Sequence, residues 1–239
     1  MAHAPGTKPA GSKRSDAYER ILSAIIFGDL AEGSSVDEKQ IAKTFGLGLA
    51  VVRDALARLA LEGMVERHAR IGTRVPELSL REMHEVFETR VIVEGAAAAL
   101  AAQRRSRDDV EALQKAFTGI EDAIAKRDFR RVVAMDLDFH HRLAMATKNS
   151  HIQRSLVLLH NNSSRFWYFG LQRLDPNEIR RDIETHFEVV DAIAAQNAEA
   201  AALAMRKVIG VFPDSMRLFM GSTSPLPDGQ MPAAALAVS

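Results

Sequence analysis

The sequence predicts a mainly α-helical protein, in which a small N-terminal unit of three helices and a hairpin precedes an antiparallel helical bundle. Three observations lead to this prediction. Apolar residues recur at helical spacing in three short segments before residue 63. Short β-compatible runs then surround a turn near residues 70–72. From Leu78 onward, alanine-rich sequence keeps the helical spacing almost without interruption.

The N-terminal unit is expected to follow a disordered arm at residues 1–14, which are rich in Pro, Gly, Lys and small residues. The expected helices cover residues 15–27, 36–45 and 49–62. The segment MVERHARIGTRV supplies the hairpin, and Pro76 marks its end. Three short helices and a hairpin within about seventy residues form the layout of a winged helix-turn-helix domain, assigned here to residues 15–77.

The bundle is expected at residues 78–220, with a flexible tail at 221–239. Its expected helices cover residues 79–105, 107–127, 129–147, 152–172, 178–195 and 198–220. Pro213 should kink or locally open the last of them. Helical bundles hold ligand sites between facing helices, so this unit is the place to look for a bound small molecule.

The composition excludes several classes of protein. The net charge of +0 gives no global field that would attract nucleic acid, although a local basic face would be enough. The chain has no cysteine, which excludes disulfides and thiolate metal sites and favours a cytoplasmic location. The N-terminus lacks the apolar core of a secretory signal, and no apolar run approaches the ~20 residues of a membrane span.

Eight segments occur in a characteristic order. They are IIFGDLAEGSSV, IAKTFGLG, VVRDALARLALEGMVE, GTRV, ETRVIVEGAAAALAA, MDLDFHHRLA, THFEVVDAI and AALAMRKVI. Their order and spacing over residues 15–220 resemble the GntR family of bacterial transcription regulators, in the FadR-like subgroup with an FCD ligand-binding domain. The resemblance implies a DNA-binding regulator rather than an enzyme. It also implies a homodimer on double-stranded operator DNA, with affinity modulated by a small organic acid or similar metabolite.

The recognition helix that this resemblance implies begins with an apolar turn. Family members usually carry Ser-Arg-Thr-Pro where this chain has GLAV at residues 48–51, so the side chains that normally meet bases and phosphates are missing. Arg53 matches a typical family arginine and is predicted to contact a guanine or a phosphate; the alternative is an exposed arginine paired with a carboxylate. The other candidate DNA contacts are Lys43, Gly48, Ala50, Arg58, Arg70, Gly72 and Arg74.

A possible divalent metal is indicated by MDLDFHHRLA. Asp136 and His140 are four residues apart, so on a helix they point the same way and could share one ion such as Zn, Ni or Mn. The resemblance implies His186 as a third ligand and a histidine at the position of Val208, where valine cannot ligate. A metal-free pocket is the alternative. His160, outside the matched segments, is a weaker substitute for the missing ligand.

Arg90 is the candidate anchor for an effector, because many FCD domains point an arginine at this position into the cavity to hold a carboxylate. Its alternative partner is Glu94, one helical turn later. The polar run NNSSR makes Asn161 and Ser164 weaker effector candidates, unless it is simply an exposed face. Two other functions stay open: a metabolite-binding module with weakened or lost sequence-specific DNA binding, and a metal-dependent enzyme.

Overall fold

A computed structural model describes the backbone of residues 10–219 and the side-chain surroundings of residues 14–210. The chain divides into two compact units between Leu78 and Ser79. Residues 1–9 of the expected arm and the expected tail at 221–239 lie outside the described residues.

The first helix starts earlier than expected. α1 spans Ala10–Ile26, so the prediction of a disordered arm is wrong for residues 10–14. Alanine, lysine and arginine are good helix formers, so the helix extends towards the N-terminus beyond the residues that carry the apolar pattern. Arg14 Nε also lies 3.4 Å from Asp54 Oδ2. This surface ion pair connects the first turns of α1 to the rest of the unit but contributes little stability.

The N-terminal unit combines α1 with two more helices and a small antiparallel sheet. The elements after α1 are β1 (Ser35–Val36), α2 (Glu38–Phe45), α3 (Leu49–Leu61), β2 (Glu66–His68) and β3 (Gly72–Arg74). β3 lies between β1 and β2, and Thr73 faces Val36 across the first pair of strands. Val36 was expected to begin the second helix, but its branched side chain suits the strand. The core contains the fully buried side chains of Ile21, Leu56 and Leu59.

Within its described residues the C-terminal unit consists of helices and the short turns between them, as the sequence predicted. Its helices are α4 (Leu80–Arg104), α5 (Arg107–Lys115), α6 (Ile120–Ala125), α7 (Phe129–Ala146), α8 (Ser150–Leu171), α9 (Pro176–Ala194) and α10 (Ala198–Phe219). α4 packs against α7, α8, α9 and α10. α10 continues past Pro213, so that residue does not end the helix. Among the described helices, none is both long and apolar enough to cross a membrane.

Side-chain caps set where the site-bearing helices begin. Ser79, Asp128 and Asn149 precede α4, α7 and α8, and each accepts a hydrogen bond from a backbone N–H of the first turn. Asp175 forms a capping box with Glu178 at the start of α9. A cap defines where the helix begins, and the apolar positions at helical spacing then decide which face lies against the interior of the bundle.

Gly119 interrupts the segment that was expected to be one helix over residues 107–127. Its φ of +87° lies in the left-handed region that favours glycine, and it separates α5 from α6. A Cβ at this position would also approach Arg131 Nη2 to 2.7 Å. The helical periodicity of the sequence continues across the break, which is why periodicity alone did not reveal it.

Gly119→Ala is therefore expected to lower the free energy of unfolding of the C-terminal unit by about 1–2 kcal/mol, because alanine is disfavoured at positive φ. The matched control is Gly210→Ala in α10, where an added Cβ would meet nothing within 4 Å. Alanine there should raise the stability by up to ~1 kcal/mol through its helix propensity. Urea unfolding of both variants, followed by the fluorescence of Trp167, makes the comparison. Equal effects of the two substitutions would contradict the strain argument.

Candidate functional site

The candidate DNA-reading surface is the N-terminal turn of α3 with the hairpin formed by β2 and β3. Gly48 occupies the N-cap of α3 in an extended conformation and makes no side-chain cap. Gly48 and Ala50 are exposed, so their backbone N–H groups are open to a phosphate. The other predicted DNA-contacting residues are exposed as well: Lys43, Arg53, Arg58, Arg70, Gly72 and Arg74.

Arg53 is paired with a carboxylate on the preceding helix. Its Nε donates to Glu38 Oε2 at 2.7 Å, while 59% of the arginine side chain stays exposed. Arg67 Nη2 on β2 lies 3.8 Å from the other oxygen of the same carboxylate. Glu38 therefore orients Arg53 on α3 and also attracts Arg67 of the hairpin. The two sequence interpretations of Arg53 are compatible, because an exposed guanidinium in a surface ion pair still has N–H groups for DNA.

Two other arginines that were predicted to contact DNA make contacts within the N-terminal unit. Arg58 stacks over the ring of Tyr18, with its Cζ 3.6 Å from the ring centroid, and donates to Glu62 at 2.9 Å. Arg74 donates through Nη2 to the backbone carbonyl of Gly33 at 2.6 Å. These contacts join α3 to α1 and β3 to the turn before β1. Arg70, by contrast, sits exposed at the tip of the hairpin with a φ of +67°.

The C-terminal unit contains a small cavity of about 20 Å³, room for about one water molecule or ion, and it is partly open to solvent. It is lined by Phe87, Arg90, Asp136, His140, Trp167, Asp182, His186, Val208 and Ile209. The helices α4, α7, α8, α9 and α10 all contribute to this wall. Arg90 and all three predicted metal ligands thus meet at one site, although they are spread over almost a hundred residues of sequence. Asn161 and Ser164 are buried but are not among the lining residues.

Arg90 anchors the buried polar groups around the cavity. Its Nε donates to Glu94 Oε1 at 2.5 Å, and its Nη1 donates to Ser163 Oγ at 3.1 Å. Glu94 is fully buried, so this ion pair is formed away from solvent. Burial by itself would raise the pKa of Glu94, but the charge of Arg90, together with the neighbouring His140 and His160, outweighs it and holds the pKa well below its ordinary value. Glu94 is therefore a buried carboxylate anion.

The two ring nitrogens of His140 face different groups. Nε2 lies 3.3 Å from Arg90 Nη2, and Nδ1 lies 2.6 Å from Glu94 Oε2. A guanidinium only donates, so Nε2 must be the acceptor, which leaves the ring proton on Nδ1 beside the Glu94 carboxylate. His140 lines the cavity, and a cation bound at Nε2 would replace the contact of that nitrogen with Arg90. A carboxylate behind a histidine ring is the usual outer support of a metal-binding imidazole.

Asp136 and His186 complete the set of donors on this side of His140. Asp136 Oδ1 lies 3.4 Å from His186 Nε2 and 3.7 Å from His140 Nε2. Burial would raise the pKa of Asp136, but the neighbouring His140 and His186 lower it to about 2. Burial would likewise lower the pKa of His186, but Asp136 and then Asp182 raise it above its ordinary value.

Asp182 adds a second carboxyl group that the sequence analysis did not identify. It lines the cavity, and burial raises its pKa to about 6 despite the attraction of His186. At pH 7 Asp182 is thus mostly ionised. Arg90 is already matched by Glu94, which leaves the carboxyl groups of Asp136 and Asp182 beside the ring of His186. Three carboxyl groups thus surround the single guanidinium of Arg90.

The donors that the resemblance implies for a metal fit a divalent cation. The ligand atoms of Asp136, His140 and His186 lie within 4.8 Å of one another. His186 Nε2 is buried and makes no regular hydrogen bond within the described residues. Two imidazole nitrogens and a carboxylate oxygen suit Zn²⁺ and similar ions, with a fourth position left for water or a ligand. Val208 lines the cavity where the fourth protein ligand was expected.

Helical spacing could have revealed two of the residues that the sequence analysis missed. Asp182 lies four residues before His186, and Phe87 lies three residues before Arg90, so each shares a helix face with a predicted site residue. Ser163, which accepts from Arg90, lies between the two residues predicted from the polar run. Trp167 carried no comparable signal, because an aromatic residue at helical spacing more often belongs to the core.

An exposed winged helix followed by a helical bundle with a charged internal cavity defines a regulator that reads DNA with one unit and a small molecule with the other. Comparison with known families agrees. The model of "Bacterial regulatory proteins, gntR family" matches residues 13–75. The FCD domain model matches residues 85–210, more than half of the chain. The chain belongs to the GntR family of bacterial transcription regulators, in its FCD-domain subgroup.

Its relatives are regulators too. The chain is 28% identical to the HTH-type transcriptional regulator LutR of Bacillus subtilis over 74% of its own length and 90% of the relative's. It is 26% identical to a probable D-xylose utilization operon transcriptional repressor of Paenarthrobacter nicotinovorans, over 83% of this chain and 86% of that one. The solved structure of E. coli McbR/YncC has the same fold, with a TM-score of 0.77 at 19% identity over 87% of this chain and 98% of that one.

Proposed function

We propose that this regulator senses a small carboxylate metabolite through Arg90 and a divalent cation in the cavity of its FCD domain. The observation that carries the proposal is the excess of carboxylates around Arg90. A carboxylate effector alone would meet Asp136 and Asp182 at close range, and like charges repel strongly in a buried site. A divalent cation held by Asp136, His140 and His186 offsets that repulsion. It also offers an open position to the effector while Arg90 binds it from the other side.

On the DNA side, we propose that a cytoplasmic homodimer places α3 of each protomer in the major groove of a two-half-site operator. Arg53 is the proposed base-reading residue, oriented by Glu38. Lys43, Arg70 and Arg74 are proposed phosphate contacts, with the backbone at Gly48, Ala50 and Gly72 approaching closely. Arg58, held against Tyr18, is proposed to position α3 and to reach the backbone only with its outer N–H groups.

The experiment begins with selection of bound sequences from a random DNA pool, followed by titration of the selected site at two salt concentrations. Calorimetry then tests short-chain mono-, di- and tricarboxylic acids, each with Mn²⁺, with Zn²⁺ and with a chelator. A cation-dependent carboxylate that changes operator affinity is the expected result. Arg90→Lys should weaken its binding by about 10- to 100-fold, because lysine keeps the charge but loses the bidentate fork.

Arg104→Lys is the matched control, since Arg104 lies on the same helix but donates to the carbonyl of Thr147. It should leave effector binding unchanged. Equal binding by wild type and Arg90→Lys would rule out the proposed anchor. A carboxylate that binds equally well in chelator would rule out the cation.

A second candidate function is a metabolite-binding module with weakened sequence-specific DNA binding. The apolar turn of α3 and the internal contacts of Arg58 and Arg74 favour it. The random-pool selection separates the two functions, because electrostatic binding to any duplex survives in both but an enriched site appears only for a specific reader.

A further inference from the structure

Three buried side chains from three helices converge on the side of His140 that faces away from Asp136. They are Glu94 of α4, His140 of α7 and His160 of α8, with relative exposures of 0%, 2% and 5%. None of the family's expected ligand positions on α9 or α10 takes part in this group. His160 was only a weak candidate from sequence, because no matched segment contains it.

The atoms of this group approach one another closely without regular hydrogen bonds. Glu94 Oε2 lies 2.6 Å from His140 Nδ1 and 3.1 Å from His160 Nε2. All three atoms are buried, and within the described residues none has a hydrogen-bond partner of regular geometry. Two ring nitrogens thus share one carboxylate oxygen, and the three buried atoms satisfy one another only in part.

The chemistry of the three atoms matches a cation. Two imidazole nitrogens and one carboxylate oxygen form the same donor set as the Asp136 side offers, and all three ligand atoms lie within 4.8 Å of one another. Ligand atoms bound at about 2.0–2.2 Å in a tetrahedral site are separated by about 3.4 Å.

We propose that Glu94, His140 and His160 form a second position for a divalent cation, alternative to the one at Asp136, His140 and His186. The two positions are exclusive because a neutral imidazole offers one lone pair, and His140 would bind one cation through Nδ1 and the other through Nε2. When Nδ1 binds, the ring proton moves to Nε2, where it faces Asp136 Oδ1 at 3.7 Å, and Arg90 Nη2, which is 3.3 Å from Nε2, must turn away. A single cation per chain is thus shared between the two positions. The inference rests on the proposed cation in this cavity.

The test is a titration of the metal-stripped full-length protein with Co²⁺, followed by calorimetry and visible absorption. Wild type should bind one Co²⁺ per chain. His186→Gln should still bind one, with no more than about a tenfold loss of affinity and with a changed visible spectrum, since the cation is left at the second position. Adding His160→Gln to that variant should reduce the affinity by a further 100-fold or so.

Three results would overturn the proposal: no Co²⁺ binding by His186→Gln, equal binding by His186→Gln and the double variant, or two Co²⁺ per wild-type chain. A second measurement needs no substitution. In wild type labelled with ¹⁵N-histidine, Zn²⁺ should shift the Nε2 signals of both His160 and His186, and an unmoved His160 signal also overturns the second position. Selection of the operator does not depend on Co²⁺ binding. If the protein selects an operator but binds no Co²⁺, the second cation position is ruled out and the proposed DNA function stands.

Discussion

Glu94→Gln is expected to lower the free energy of unfolding of the C-terminal unit by about 3–5 kcal/mol. The substitution keeps the size of the side chain but removes the charge that matches Arg90, whose guanidinium lies 2.5 Å away and is itself buried. Breaking a buried ion pair by removing one partner is costly, because the guanidinium loses its direct partner and the other carboxyl groups of the cavity, Asp136 and Asp182, do not replace that contact. Urea unfolding in the presence of a chelator, followed by the fluorescence of Trp167, measures the change.

The double variant Arg90→Met/Glu94→Leu is the control for this prediction. It removes both charges and fills the space with apolar side chains of similar volume, so it should be clearly more stable than Glu94→Gln. A cost below about 1 kcal/mol for Glu94→Gln would contradict the argument and would mean that solvent reaches the pair.

Arg53→Ala is expected to weaken binding to the selected operator by about 10- to 100-fold, the effect of losing one good base contact. Its effect on random DNA should be much smaller, so the ratio of specific to non-specific affinity falls. Fluorescence anisotropy at two salt concentrations measures both quantities, and the salt dependence should decrease by about one phosphate contact if Arg53 also touches the backbone.

Arg81→Ala is the matched control, because Arg81 is an exposed arginine in an equivalent ion pair, 2.8 Å from Glu85, but on the bundle. It should leave operator affinity unchanged. Glu38→Gln removes the carboxylate that orients Arg53, and it should strengthen binding to random DNA while reducing discrimination. If Arg53→Ala and Arg81→Ala behave alike, Arg53 is an ordinary surface arginine and base reading belongs to other residues.

Local signals were enough to predict most of the fold. Glycine stops, polar caps and apolar periodicity correctly indicated α2 and α3 and the hairpin, because each of these depends on a few neighbouring residues. The same signals missed the break at Gly119, where the periodicity continues although the backbone turns. The composition of residues 10–14 predicted a disordered arm, whereas the helix propensity of Ala, Lys and Arg in this segment favours the observed helix.

Sequence by itself determined the class of protein and named Arg90, Asp136, His140 and His186 as candidate site residues, since matched segments and i,i+4 spacing are properties of the chain. Only the tertiary structure decided what surrounds them. Glu94, Asp182 and His160 join the site because helices distant in sequence pack side by side. Burial in that packing then fixes their charges and the tautomer of His140, and such effects depend on the dielectric and the neighbours that folding supplies.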